Sequence, residues 1–177
     1  VPDEPGTGNV VELVEFASDG DLSDGLPRSR LRAFLATCWR ETYQEQLGSD
    51  IATAMVESLA GDDLGGILPA TDERVVLAFH DDRIVGSCVY AARGAIVYVW
   101  GCYISQAFQR SGTGRRLIRH VQREGLSARR LQVTVLCAST GAIAFYGSLG
   151  FAVVEHVEYE LFPGCREPAQ VMELATA

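Results

Sequence analysis

Residues 95–104 run apolar and β-branched, residues 109–115 carry two glycines, and apolar spacing returns at helical period from residue 117. The chain must therefore pass from a strand through a tight loop into a helix. On the strand side, Ile96, Val97, Val99, Trp100, Tyr103 and Ile104 suit a pleated, half-buried surface. On the helix side, Leu117, Ile118, Val121 and Gln122 recur along one stripe, Arg115, Arg116, Arg119 and Arg123 lie mostly around the others, and Gly125 supplies a stop. A loop short of Cβ bulk that opens a helix gathers unpaired backbone N–H groups at a positive dipole end. That is a setting for an anion, most often a phosphate.

Two common phosphate motifs do not fit. A P-loop needs Lys and then Ser or Thr after its last glycine, and Gly114 is followed by Arg115 and Arg116. A dinucleotide fingerprint needs a third glycine where Leu117 stands. What remains is Gln109-x-x-Gly112-x-Gly114, which resembles the pyrophosphate loop of the GCN5-related N-acetyltransferases, Gln/Arg-x-x-Gly-x-Gly/Ala. A second stretch supports the resemblance. Strand-like residues 131–136 lead to Ser139, Ala142, Phe145, Tyr146, Leu149, Gly150 and Phe151, in register with that family's Asn-x-x-Ala-x-x-(apolar)-Tyr-x-x-x-Gly-Phe helix. Ser139 departs from the pattern by standing where the family usually has Asn, so a polar contact from it to the pantetheine arm would be shorter.

The resemblance implies an α/β fold with a mixed, mostly antiparallel sheet splayed between strands 4 and 5 and flanked by helices, in the order β-α-α-β-β-β-α-β-α-β-β. It implies a pantetheine arm held as an extra strand between backbone groups around residues 102–104, Cys102 and Ile104 among them, and residues 135–137, with a β-bulge helping the first strand to part. The pyrophosphate would rest on the N–H groups between Gln109 and Arg115, with Arg110, Gly112, Thr113 and Gly114 in between. Gly112 and Gly114 would serve shape and close approach. Tyr146 would give a proton to the departing thiolate, its ordinary pKa near 10 keeping it protonated at neutral pH. A backbone N–H near Tyr103 or Ile104 would face the developing oxyanion.

The implied activity is transfer of an acetyl group from acetyl-CoA to a primary amine, on a small molecule or a protein. No metal is expected, and the homodimers common among relatives make a dimer an open expectation here. A base is harder to find, because residues 95–104 contain no acid. Glu41 and Glu45 on the first helix and Glu57 on the second are the candidates, each otherwise a solvated helix residue. Trp39 and Tyr43, four apart, resemble an aromatic pair on the first helix of many relatives; with Trp100 and Tyr103 they either wall an acceptor pocket or fill the core. No cysteine has a base beside it in sequence, which favours direct attack in a ternary complex over a covalent acyl-enzyme. Two alternatives stay open: a non-catalytic acyl-CoA-binding module of the same fold, and a nucleotide-binding protein, which ATP or NAD would stabilise and CoA would not.

Charge bears on partners. With 15 Lys and Arg against 23 Asp and Glu in 177 residues, the formal charge of −8 disfavours nonspecific nucleic-acid binding and leans toward cationic acceptors. Anionic CoA must then be held by local groups, and the arginines beside the loop are the evident ones. Cys38, Cys88, Cys102, Cys137 and Cys165 show no paired spacing, and His80, His120 and His156 no metal spacing. Mostly buried, reduced thiols in a cytoplasmic protein are expected, with no membrane span.

Along the chain, residues 1–8 are expected to be disordered and 9–177 to form a single domain. A strand over 10–16 and an acidic loop over 18–25 precede a helix from Pro27, capped by Ser23 or Asp24 and ending near Leu47 and Gly48. A second helix follows a cap at Ser49 or Asp50, and residues 61–72 read as an exposed loop. Strands are expected over 75–80 and 83–92 around a tight turn at Asp81 and Asp82, with Arg93 and Gly94 turning into the next, and a final pair over 151–162 and 169–175.

Overall fold

The alternation that begins at Arg74 becomes an antiparallel meander: β2 (Arg74–His80), β3 (Arg83–Arg93) and β4 (Ile96–Ile104). Asp81 and Asp82 both take positive φ, 45° and 61°, the twist that a two-residue hairpin turn requires. The computed structural model describes residues 11–17, 28–125 and 129–175. The expectations for residues 1–8, the loop at 18–25, Pro27 and its caps lie outside them.

Before the meander come β1 (Glu12–Ala17), α1 (Arg28–Leu47) and α2 (Ser49–Ser58). After it come α3 (Thr113–Glu124), β5 (Arg130–Leu136), α4 (Thr140–Ser148), β6 (Ala152–Phe162) and β7 (Cys165–Ala175). Seven strands form one sheet in the order β1-β2-β3-β4-β5-β7-β6, antiparallel throughout except where β4 meets β5. This is the mixed α/β architecture expected from the sequence. One face packs on α1 and α2 through Leu31, Leu35, Trp39 and Met55; the other packs on α3 through Leu117, Ile118 and Val121.

β7 starts at Cys165, four residues before the expected strand. Pro168, which has no N–H for a ladder, falls inside the strand. Here it pairs with Glu158 of β6, while pairing to β5 begins only at Ala169. On its β5 side Pro168 supplies just a carbonyl, which accepts from the Cys137 N–H at 2.8 Å. Residues 61–72 also differ from expectation, since Leu64, Ile67 and Leu68 are buried against the α1 core. β6 is an edge strand with Val153, Val154 and Tyr159 exposed.

On the α3 side, β1 is pinned by one carboxylate. Glu15 accepts from Tyr90 at 2.6 Å and Arg74 at 2.7 Å, and lies 2.6 Å from His120 Nε2 on α3. Burial by itself would raise the Glu15 pKa, but the hydrogen bonds of Tyr90, His120 and Arg74 outweigh it and hold the carboxyl below its ordinary value. A depressed folded-state pKa stabilises above the unfolded value, and that increment disappears as pH falls through the folded one. Glu15→Gln is expected to cost about 2 kcal/mol in urea unfolding at pH 7, the scale of hydrogen bonds to a charged group. The difference from wild type should shrink from about pH 5 downward; an unchanged difference at acid pH would remove the network from the account.

Candidate active site

β4 departs from regular geometry at one glycine. Val89 pairs with Trp100 and Ser87 with Tyr103, so Cys88 alone opposes both Gly101 and Cys102. Gly101 has φ +67°, which makes this a bulge opened by a left-handed glycine. The extra residue resets which face each side chain meets. Val97 and Val99 pack toward α3 and Trp100 toward α1; without the bulge, Cys102 would follow Trp100. Instead Tyr103 joins Trp100 on the α1 side, while Cys102 and Ile104 turn to the α3 side.

The bulge coincides with the end of the β4–β5 ladder. Pairing runs from Ile96↔Arg130 to Val99↔Val133 and stops, although β5 continues to pair with β7 as far as Leu136↔Ala169. Two central strands therefore diverge. The Ser105 N–H donates to the Val85 carbonyl at 3.0 Å. By antiparallel alternation, Tyr103 also turns its backbone groups to β3, and the N–H and C=O of Ile104 face the gap. Of the two amides expected as alternative oxyanion donors, that of Tyr103 turns to β3 and that of Ile104 faces the gap. On the facing strand, residues 134–136 line the gap, whereas the Cys137 amide is taken by Pro168.

A cavity of about 1270 Å³ extends along this gap. At one end lies the glycine loop. Arg110 and Gly112 both take positive φ, 60° and 89°, and α3 starts with no side-chain cap on Gly112. Its first helical bond is from the Arg116 N–H to the Gly112 carbonyl, 3.0 Å. Among the described residues, the N–H groups of Arg110, Ser111, Gly112, Gly114 and Arg115 meet no acceptor, and the side chains of Arg110 and Arg115 make no ion pair. Arg110, Gly112, Gly114 and Arg115 line the cavity with Gln109, whose Nε2 lies 3.4 Å from the Ile104 carbonyl. Thr113 stands apart: it is buried, its hydroxyl lies 2.8 Å from the Ser111 hydroxyl, and it does not line the cavity. Of the residues expected to face the anion, Thr113 turns its side chain inward and holds the loop from beneath.

The two glycines act differently. A Cβ on Gly112 would meet nothing within 4 Å and would stand in the open cleft. A Cβ on Gly114 would lie 3.1 Å from the Phe145 ring, so this glycine lets the start of α3 rest on α4.

In the middle of the cavity, Tyr146 of α4 sits between Phe145 and Phe151 in edge-on contacts at 5.1 and 5.3 Å. Burial, followed by the neighbouring Cys102 and Cys88 thiols, holds its pKa well above the usual tyrosine value. Ser139, at the start of α4, donates its hydroxyl to Gln46 Oε1 of α1 at 2.6 Å, tying the two helices across the cleft. No local pattern marks Gln46, which lies 93 positions away.

Beyond Tyr146 the walls are aromatic. The Tyr43 and Tyr103 hydroxyls are 3.0 Å apart, and Trp39 contacts both rings at 6.4 and 5.8 Å. Trp100 lines the rim beneath the Arg93 guanidinium, 5.3 Å from its ring centre. Exposed Glu41 and Glu45 lie at this end, giving the cavity a cationic and an anionic extremity. Glu57 is removed from the candidate bases, because it faces a separate small cleft beside Arg40 and Gln44. Met55, two residues earlier on α2, faces the main cavity, and two residues turn a helix to its other side.

Residues 29–151 match the profile of the acetyltransferase (GNAT) family. No curated protein matches the chain. Among solved structures, the fold is similar to PaiA N-acetyltransferase from Thermoplasma acidophilum in complex with coenzyme A, at TM-score 0.72 and 13% identity over 94% of this chain and 99% of that one. It is also similar to a GNAT-family acetyltransferase from Staphylococcus aureus Mu50, TM-score 0.64 and 12% identity over 94% and 99%. An IAA acetyltransferase from Bacillus cereus aligns at TM-score 0.56 and 15% identity over 94% and 100%. Among the described residues, no helix is long and apolar enough to cross a membrane.

Proposed function

This chain belongs to the acetyltransferase (GNAT) family, and on that premise we propose that it moves an acetyl group from acetyl-CoA to a primary amine by direct attack in a ternary complex. The observation that carries the reading is the coincidence, in one cavity, of unpaired loop amides with the parted edges of β4 and β5. Among the described residues, four free N–H groups on the cavity wall, those of Arg110, Gly112, Gly114 and Arg115, and the unpaired side chains of Arg110 and Arg115 match a diphosphate, and two open strand edges match an amide-bearing pantetheine arm. Acetyl-CoA, when bound there, supplies the activated thioester.

The residues then divide the work. Gly112, Gly114 and Arg115 present amides to the diphosphate, with Arg110 and Arg115 neutralising charge and Gln109 beside them. The Ile104 N–H, facing the gap, donates to the oxygen where negative charge develops. Tyr146 holds its proton for the departing thiolate. Cys102 flanks Tyr146 on the bulge, and Ser139 with Gln46 closes the cleft between α1 and α4. Trp39, Tyr43, Trp100 and Tyr103 wall the acceptor. Glu41 and Glu45 draw a cationic amine to the far mouth and take its proton through water.

Thiol release from acetyl-CoA over a panel of amines, beside calorimetry with CoA, tests the reading. The expected result is saturable CoA binding and amine-dependent thiol release, fastest with cationic small amines. CoA binding with no release on any acceptor would make the protein a non-catalytic acyl-CoA-binding module. No CoA binding at all would overturn both.

A further inference from the structure

The wall of the cleft holds a pair of thiols that the transfer reaction does not use. Cys88 on β3 stands alone against Gly101 and Cys102 in the β4 bulge. Both cysteines turn to the α3 side of the sheet, beside Tyr146. Directly opposed side chains on antiparallel strands have Cβ atoms about 4.5–5.5 Å apart, and a disulfide needs about 3.5–4.5 Å, a difference that a small closure of the bulge can cover. The two thiols are near neighbours, and the Tyr146 hydroxyl is close enough to Cys102 to act on it electrostatically.

Access to the pair is one-sided. Cys88 is fully buried, whereas Cys102 is partly exposed and lines the cavity. A reagent entering the cleft meets Cys102 first and finds Cys88 directly behind it. Hydrogen bonding by Cys88 lowers the Cys102 pKa against the effect of burial, and Tyr146 adds to the lowering. The other cysteines supply contrasts. Cys38 is pushed up to about 12 by burial, with Glu41 adding to it, and Cys137 is exposed and does not line the cavity.

We propose that Cys88 and Cys102 are an oxidisable dithiol: a hydroperoxide oxidises Cys102 from the cleft, Cys88 resolves it, and the cross-strand disulfide slows acyl transfer. In the first step the Cys102 sulfur attacks the peroxide O–O bond, giving a sulfenic acid and releasing an alcohol, or water from hydrogen peroxide. In the second, the Cys88 sulfur attacks that sulfur, the S–S bond forms, the S–O bond breaks, and hydroxide leaves with the Cys88 proton as water. Two thiols lose two electrons and two protons, and the peroxide gains both. The disulfide takes the Cys102 thiol from Tyr146 and stiffens the strand edge at residues 100–104. The loss of transfer rests on the acetyl-CoA reading above; the disulfide itself does not.

The test uses the full reduced chain, treated with hydrogen peroxide with and without saturating CoA and then mapped by mass spectrometry of blocked peptides. The expected product is a Cys88–Cys102 crosslinked peptide, formed about tenfold more slowly under CoA because the cofactor covers Cys102. Acetyl transfer should fall about tenfold or more in the crosslinked protein and return with dithiothreitol. In Cys88→Ser the crosslink should vanish and a sulfenic acid at Cys102 should be trapped by dimedone. Recovery of Cys88 and Cys102 as free thiols after Cys137 has been oxidised overturns the proposal, whatever the variant does. A crosslink that forms equally fast under CoA upholds the dithiol and counts against the cofactor placement.

Discussion

Gly112→Val is expected to weaken CoA binding at least 100-fold, about 2.7 kcal/mol, in a protein that still folds. The N-cap of α3 sits at φ +89°, where a β-branched residue is strained by about 1–2 kcal/mol. That strain alone costs only part of a domain's stability of about 5–15 kcal/mol. The larger effect is local. Nothing lies within 4 Å of the added Cβ, so the isopropyl group stands in the cleft that the loop amides face and shields them from an anion. Relaxing the strain would also re-aim the N–H groups of Gly114 and Arg115. Calorimetry with CoA, paired with thermal unfolding, measures both consequences. A folded Gly112→Val protein that binds CoA as wild type does would show that the diphosphate lies elsewhere. Arg115→Ala should be milder, because it removes one charge-assisted contact and leaves the amides in place.

Tyr146→Phe is expected to lower kcat about 100- to 1000-fold, the usual scale for a positioned general acid, with CoA affinity within a few-fold of wild type. Phenylalanine keeps the edge-on packing between Phe145 and Phe151 and deletes the one proton in question. The raised tyrosine pKa adds a pH signature. The acid works protonated, so activity should not fall on the alkaline side until pH passes well above the ordinary tyrosine value of about 10. A Tyr146→Phe enzyme with full kcat would leave the departing thiolate to water and end the acid assignment.

The strand, loop and helix around Gly112 and Gly114 were readable from sequence because each rests on local physics: β-branched alternation, missing Cβ bulk, and an apolar helix stripe. The α4 segment was legible through its resemblance to the family's helix pattern, and its Tyr146 and Phe151 meet in one cluster. Less visible was the bulge at Gly101. Its effect is one of parity, and parity shows only once Trp100 and Val89, then Tyr103 and Ser87, are paired. Without it, which of the Tyr103 and Ile104 amides faces the gap could not be read. Contacts spanning long stretches of chain were also hidden, as in Ser139 with Gln46 and Glu15 with His120. Turn-rich composition made residues 61–72 look solvent-facing, yet Leu64, Ile67 and Leu68 are drawn into the α1 core. The last strand begins earlier than expected, at Cys165, because a strand tolerates Pro168 where its β5 neighbour has not yet begun to pair.

Backbone amides carry most of the binding in this account, so the most direct measurement reads them individually. In an isotope-labelled sample titrated with CoA, the amide resonances of Gly112, Gly114 and Arg115 should shift together with those of Ile104 and residues 134–136, saturating at a single affinity. Saturation of CoA binding with those loop amides unmoved, or with shifts confined to another surface, would contradict the account.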